Sequence, residues 1–96
     1  MITSAKLKVK RNEIVQIAAS HGAKNLRIFG SVARGQAKQS SDLDVLITLE
    51  PGRSLLDVVA IKQDLEDLLG CSVDVVTEDA VSPYIREQVL KDAVSL

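Results

Sequence analysis

Two short stretches decide the fold and the chemistry of this chain: GSVARG at residues 30–35 and SDLD at residues 41–44. The first follows a short, mainly apolar strand predicted over residues 26–29 and opens with a glycine, so the strand runs into a turn whose backbone a phosphate can approach closely. The second carries Asp42 and Asp44, separated by one residue. Side chains on a strand alternate between faces, so both acids project from one side with roots about 6.6 Å apart. We therefore predict that both reach one metal cluster.

The strand predicted over residues 42–49 has two different faces. Its apolar residues alternate with the acids and fall on the opposite side: Leu43, Val45 and Ile47. This pattern predicts that the apolar side faces the core while the acids face solvent or ligand. Asp74 lies inside a later strand, predicted over residues 73–77, where a charge needs compensation. From that strand alone two interpretations stay open, an edge acid facing water or a third member of a cluster with Asp42 and Asp44.

Composition limits the classes of function. The 96 residues fit one small domain, and aromatic residues make up only 2%, which predicts an aliphatic core without base-stacking platforms. Twelve basic and 13 acidic residues give a net charge of −1, so we expect no direct nucleic-acid or membrane binding. The basic cluster at residues 6–11 stays unassigned. Cys71 is the only cysteine, which excludes an intrachain disulfide, and we expect a cytoplasmic protein without signal peptide or membrane span.

Helical periodicity and turn residues predict the remaining elements. A first amphipathic helix is predicted over residues 9–20, and a long helix runs from the cap at Ser54 to the stop at Gly70. Ser82-Pro83 opens a closing helix in the favoured order of cap and proline. Its inner face is predicted from four apolar residues: Ile85, Val89, Leu90 and Ala93. The sequence therefore predicts a small sheet with several helices against it.

Two residues of the stretch 30–35, which we call the glycine turn, have more than one interpretation. Ser31 starts a helical turn, where its hydroxyl either caps the turn or holds phosphate oxygens together with nearby amides. Arg34 either neutralises a phosphate or pairs with a surface acid. A Gly-Ser pair alone indicates an ordinary strand-to-helix turn, but the acids downstream favour the phosphate interpretation.

In this order, the motifs resemble the minimal nucleotidyltransferases of the DNA polymerase beta superfamily. The residues that carry the resemblance are Gly30-Ser31, Ala33-Arg34-Gly35, Ser41-Asp42, Asp44 and Asp74. The resemblance covers nearly the whole chain, and the combination is far more specific than any of its parts. It implies an α+β, polymerase-beta-like fold with a small mixed sheet flanked by helices, in a single minimal nucleotidyltransferase domain over residues 1–96.

The resemblance also implies roles for these residues. Two magnesium ions would be held by Asp42 and Asp44, with Asp74 as third ligand or general base. ATP would be the substrate, with Gly30 and Ser31 as the triphosphate cradle. The remaining nucleotide-binding positions would be Arg34 and Ser41.

Members of the family that the chain resembles often act as antitoxins beside a small helical HEPN-type toxin, onto which some transfer AMP at a tyrosine. The leading hypothesis is therefore a protein adenylyltransferase. One alternative is a non-catalytic antitoxin that neutralises the toxin by binding. Another is nucleotidyl transfer to a small hydroxylated molecule such as an aminoglycoside. Base preference, the acceptor residue and the oligomeric state stay open at this point.

Overall fold

A mixed four-stranded sheet flanked by helices forms the framework of the protein. The structure is a computed structural model that describes residues 3–36 and 42–96. Along the chain the elements are α1 (Ser4–Val9), α2 (Arg11–Ser20), β1 (Ala23–Phe29), α3 (Gly30–Ala33), β2 (Leu43–Leu49), α4 (Leu55–Leu69), β3 (Val73–Thr77), a 3₁₀ turn (Glu78–Ala80), α5 (Pro83–Asp92) and β4 (Val94–Ser95). The strand order is β3-β2-β1-β4, with β2 and β3 parallel and the other pairs antiparallel. The predicted α+β class and mixed sheet are confirmed.

One face of the sheet packs against α2 and α4 to form the main core. The buried residues that the sheet contributes are Ala23, Ile28, Leu43, Val45, Ile47 and Val73. The two helices contribute Ile14, Ala18, Ile61, Leu65 and Leu69. All are aliphatic, as the composition predicts, and their burial supplies the main driving force for folding.

Local sequence signals explain the bounds of α4. The Ser54 hydroxyl accepts a hydrogen bond from the Leu56 amide at 3.2 Å, and the Asp57 carboxylate accepts one from the Ser54 amide at 3.1 Å. This capping box satisfies amides that lack a partner inside the helix. Gly70 ends the helix with a left-handed backbone, φ +68°. The predicted start and stop of this helix are confirmed.

The other face of the sheet carries the acids, but solvent does not cover all of it. Asp44, Leu46 and Thr48 alternate with the core residues of β2 and therefore share this face. Leu46 is fully buried, so this side of the strand is accessible near Asp44 but not at Leu46. Glu78 lies at the far end of the same face and binds Thr48 and Arg27. We call the side of the sheet that carries Asp44, Leu46 and Thr48 the acid face. It is accessible at the end near Asp44 and covered at the end near Thr48.

Three other predictions differ from the structure, two in the bounds of an element and one in its burial. The first helix is broken at Lys10 into α1 and α2, which lets α1 bury Leu7. β1 begins at Ala23 rather than at residue 26, because an irregularity in its pairing with β2 near Asn25, at φ +53°, lets the strand continue. The predicted inner face of α5 is not buried, and Ile85 is 54% exposed.

Helix length bears on membrane insertion. Among the helices of the described ranges, none has the length and apolar content that crossing a bilayer requires.

Candidate nucleotidyl-transfer site

The strand register places two of the predicted acids side by side. Asp44 of β2 pairs in register with Asp74 of the parallel strand β3. Because directly paired residues of neighbouring strands point to the same face, both carboxylates project from the acid face. Asp42 lies one residue before β2, so it precedes the strand on which the sequence analysis places it. Asp42 and Asp74 are exposed, and Asp44 is half-buried. We call Asp42, Asp44 and Asp74 the aspartate cluster.

The three carboxylates interact electrostatically. The pKa of Asp44 is raised above its ordinary value, first by burial and then by the negative charges of Asp74 and Asp42. The positive charge of Arg34 acts in the opposite direction but is outweighed. The cluster therefore holds more negative charge than the surrounding protein neutralises. Such a site favours a cation or a proton.

Gly30 lies directly against the aspartate cluster. Its neighbour Phe29, the last residue of β1, pairs with Asp44 across the antiparallel strands. A Cβ atom built on Gly30 would overlap Asp44 Oδ2, and the backbone of Gly30 has φ +76°. Both the close approach and the left-handed conformation require glycine at this position. The glycine turn and the acids, 14 residues apart in sequence between Gly30 and Asp44, thus form one surface.

Two side chains of α4 hold the start of β3 and thereby the backbone next to Asp74. The Val73 amide donates to Glu66 Oε2 at 3.0 Å, and the Val73 carbonyl accepts from Lys62 Nζ at 2.7 Å. Lys62 also bonds Glu66 at 2.9 Å. The Val73 amide and then Lys62 lower the pKa of Glu66. These contacts from α4 therefore fix the position of the β3 backbone next to Asp74.

Arg34 pairs with a surface acid, the second of its two interpretations. Its Nη1 donates to Asp92 Oδ2 at the end of α5 at 3.1 Å, and its Nε donates to Gln36 Oε1 at 3.3 Å.

Ser31 lies inside α3, which begins at Gly30, so it is not the residue that caps the helix from the preceding position. Ser41 lies outside the described residues.

The comparison with known families decides the class of protein. Residues 11–96 match the family model described as a nucleotidyltransferase domain. The chain belongs to the nucleotidyltransferase family. This nucleotidyltransferase is similar to a protein of Methanocaldococcus jannaschii provisionally named a protein adenylyltransferase. The two are 42% identical over 86 residues, 90% of this chain and 92% of the relative. It is also 38% identical to the protein adenylyltransferase MntA of Thermococcus cleftensis over 73 residues, 76% of this chain and 74% of that protein.

Solved structures share the fold of this nucleotidyltransferase. A structure described provisionally as a minimal nucleotidyltransferase superposes with a TM-score of 0.90 and 46% identity, covering 99% of this chain and 97% of that one. The predicted minimal nucleotidyltransferase fold is confirmed. A toxin–antitoxin structure with AMP-PNP superposes with a TM-score of 0.75 at 21% identity, covering 88% of this chain and 69% of that one. At that identity the likeness shows the fold alone.

The predicted metal ligands of this nucleotidyltransferase are the three carboxylates of the aspartate cluster. Within residues 3–36 and 42–96, no group of three or more His, Cys, Asp or Glu side chains is arranged to hold a metal ion. Like charges repel, so carboxylates without a cation between them are expected to point apart. The sequence prediction of metal ligation by Asp42, Asp44 and Asp74 stays a prediction.

The partners of the site residues in this nucleotidyltransferase were not predicted from the sequence. Asp92 and Gln88 of α5 support Arg34, and Lys62 and Glu66 of α4 support the start of β3. The Lys62 and Glu66 pair has a local signal, since opposite charges four residues apart meet on a helix. Asp92 has no such signal, because its partner lies 58 residues away in sequence.

Proposed function

We propose that this nucleotidyltransferase transfers AMP from ATP to a tyrosine hydroxyl of a small HEPN-type protein, and that the transfer neutralises that protein as a toxin. The observation that carries the proposal is the placement of Asp44 and Asp74 on adjacent strands beside Gly30. The names of two relatives as protein adenylyltransferases support AMP as the group and a protein as the acceptor. We expect the reaction in the cytoplasm, where ATP is present and Cys71 stays reduced.

The donor set of the aspartate cluster fits magnesium. Carboxylate oxygens are the ligands that Mg²⁺ prefers, and the pKa of Asp44 is raised first by burial and then by the negative charges of Asp74 and Asp42, both of which a bound cation would offset. Asp42 and Asp74 are exposed, so packing does not fix the direction of their carboxylates. We propose that Asp42 and Asp44 hold two Mg²⁺ and that Asp74 serves as third ligand or base. When bound, such ions offset charge on the phosphate oxygens and stabilise attacking and leaving oxygens.

The residues around the cluster have distinct roles in this proposal. The acceptor hydroxyl oxygen forms a bond to the α-phosphorus of ATP, and the bond from that phosphorus to pyrophosphate breaks. Asp74, exposed on the edge strand, accepts the proton that the hydroxyl loses. Gly30 leaves its backbone open to the triphosphate, and Ser31 donates its hydroxyl to a phosphate oxygen. Arg34 neutralises phosphate charge, and Ser41 completes the nucleotide-binding set.

The experiment combines labelled ATP, Mg²⁺ and the HEPN protein encoded beside this chain. Wild type is compared with the double variant Asp42→Asn/Asp44→Asn and with a matched control, Asp67→Asn/Asp79→Asn. The control removes two exposed acids that are not members of the aspartate cluster, one on α4 and one in the 3₁₀ turn. We expect label on a tyrosine of the partner with wild type and control but not with the cluster variant.

Three outcomes would contradict the proposal in different ways. If no label transfers and the cluster variant neutralises the partner as well as wild type does, the chain is a non-catalytic antitoxin that acts by binding. If label appears on small hydroxylated compounds such as aminoglycosides and not on the partner, the acceptor class is wrong. Equal transfer with and without a chelator would exclude the magnesium role.

A further inference from the structure

The guanidinium of Arg34 is held by side chains on two sides. Nη1 donates to Asp92 Oδ2 at 3.1 Å, and Nε donates to Gln36 Oε1 at 3.3 Å. These contacts use two of the five N–H donors of the group. The other three are the donors with which Arg34 would bind phosphate oxygens.

Asp92 is itself fixed in place. Its side chain is 19% exposed, whereas that of Arg34 is 46% exposed. Gln88, one helical turn earlier on α5, donates from Nε2 to both carboxylate oxygens of Asp92 at 3.2 Å. The carboxylate therefore has little freedom to follow the arginine, and the arginine is the partner whose direction is restricted.

The location of this contact connects α5 to the proposed site. α5 begins beyond the 3₁₀ turn, at the end of the sheet away from the aspartate cluster, and ends at Asp92 against the residue that follows α3. Arg34 directly follows the four-residue helix α3, which begins at Gly30, and the Cβ position of Gly30 overlaps Asp44 Oδ2, so Arg34 lies on the turn beside the aspartate cluster. A cation placed there without a fixed direction would lose conformational freedom on binding phosphate, and a pre-oriented one loses less.

We propose that Asp92 is a positioning residue for Arg34, and that it sets the affinity of the site for the triphosphate of the nucleotide by holding the guanidinium in its binding direction. Gln88 has the same role one step further away. This inference rests on the proposed phosphate role of Arg34. It gives α5 a part in nucleotide binding although α5 contributes no residue to the aspartate cluster.

The test is a double-mutant cycle on Arg34 and Asp92. Asp92→Asn keeps the shape of the side chain and removes its charge, and we expect it to raise KM for ATP about tenfold with kcat changed less than about twofold. In an Arg34→Gln background the same change should alter KM less than about twofold, because Asp92 acts through Arg34. Asp92→Glu should recover most of the affinity. Glu87→Gln, an exposed acid on the same helix, is the matched control and should leave KM unchanged.

A second readout does not depend on transfer. Binding of a non-hydrolysable ATP analogue, followed by calorimetry, should weaken about tenfold in Asp92→Asn and remain near wild type in Glu87→Gln. Thermal unfolding of each variant shows whether the fold is intact. If Asp92→Asn proves too unstable to measure, Gln88→Ala at an exposed position provides the test, because it removes the side chain that holds the Asp92 carboxylate and should weaken analogue binding in the same direction.

The outcomes separate the positioning role from the proposed function. An unchanged KM, or an equal effect of Asp92→Asn with and without Arg34, would overturn the positioning role while AMP transfer still occurs. A lower KM in Asp92→Asn would also overturn it, because Asp92 would then compete with phosphate for the arginine. Wild type that binds the analogue but transfers no AMP would refute only the proposed function. Wild type that binds no analogue would refute both.

Discussion

Two groups of polar side chains lie at opposite ends of one face of the sheet, and their carboxylates differ in how far other side chains neutralise them. The aspartate cluster lies where β2 and β3 begin. The second group, which we call the Glu78 network, lies where these strands end and consists of Arg27, Thr48, Glu78 and Arg86. Arg27 Nη2 donates to Glu78 Oε2 at 3.1 Å, and Thr48 Oγ1 donates to the same oxygen at 3.1 Å. The hydrogen bonds from Arg27 and Thr48 lower the pKa of Glu78, whereas the pKa of Asp44 is raised.

The difference supports separate roles for the two groups in the proposed function. Glu78 is stabilised in its charged form by partners in the chain, so its ionisation contributes to the folded state. Asp44 is destabilised in its charged form by burial and by its neighbours, so its ionisation opposes the folded state. A carboxylate whose charged form is destabilised by its surroundings in the folded protein is typical of functional sites. In the proposed function, the same face therefore has a structural end at Glu78 and a reactive end at the aspartate cluster.

The largest expected effect separates the two ends by activity. Asp44→Asn should reduce the rate of AMP transfer about 10³-fold, because several kcal/mol of transition-state stabilisation depend on the charge that it provides. Glu78→Gln should change that rate less than about threefold, since its partners lie at the far end of the sheet. Initial rates at saturating ATP provide the measurement. Comparable losses in both variants would contradict the division of the face.

The next effect concerns the glycine beside the reactive end. Gly30→Ala should reduce AMP transfer about 10²-fold, because a Cβ there displaces Asp44 Oδ2. The matched control is Gly52→Ala, which also has a positive φ, +87°, but has open space around its Cβ position. Both variants should lose about 1–2 kcal/mol of unfolding free energy from the left-handed backbone. Only Gly30→Ala should lose activity, as chemical denaturation combined with rate measurements will show.

Several features of the fold and of the candidate site could be predicted from the sequence, because their signals are local. The spacing of Asp42 and Asp44, the capping box at Ser54 and the stop at Gly70 each depend on residues within a few positions of one another. By contrast, Asp74 lies beside Asp44 only because β3 is the neighbour of β2 in the strand order. That order follows from how helices cover the sheet and not from the residues of either strand, so the sequence left the role of Asp74 open.

The rest could not be predicted, for physical reasons that particular residues illustrate. Periodicity shows that α5 is a helix, but it does not show how tightly the helix packs, and Ile85 stays 54% exposed. β4 has two residues, too few for an alternating pattern. The break at Lys10 and the burial of Leu7 depend on tertiary packing of α1. The pairing of Arg34 with Asp92 joins segments 58 residues apart.

The third effect is on stability, and it should have opposite signs at the two ends. In buffer without divalent cations at pH 7, Asp44→Asn should raise the melting temperature by a few degrees and Glu78→Gln should lower it by a similar amount. A cation should reverse the order for Asp44→Asn, because only wild type would gain stability by binding it. Calorimetric melting with and without Mg²⁺ provides the measurement.

The pH dependence of these differences follows from the directions of the pKa shifts. Glu78, with a lowered pKa, stabilises the fold above the unfolded value of about 4.3, and this contribution is lost as pH falls below it. Asp44, with a raised pKa, destabilises the fold when ionised, and this penalty disappears as pH falls through the raised value toward about 3.9. The advantage of Asp44→Asn should therefore vanish on acidification before the disadvantage of Glu78→Gln does. The reverse order would contradict both assignments.

The smallest effect distinguishes the two arginines of the Glu78 network. Arg27 lies on β1 with a side chain 20% exposed and approaches Glu78 at 3.1 Å, whereas Arg86 on α5 is 41% exposed and approaches the carboxylate at 3.5 Å. Water screens the more exposed pair more strongly, so Arg86→Met should lower the melting temperature by only about 2 °C or less. Arg27→Met should lower it further, because the less exposed pair contributes more to holding Glu78 against the sheet. If Arg86→Met proved the more damaging, its Nη1 bond to the Glu78 carbonyl at 3.0 Å would be the dominant contact. The structural end of the face would then depend on anchoring the 3₁₀ turn to α5 rather than on neutralising a carboxylate at the sheet.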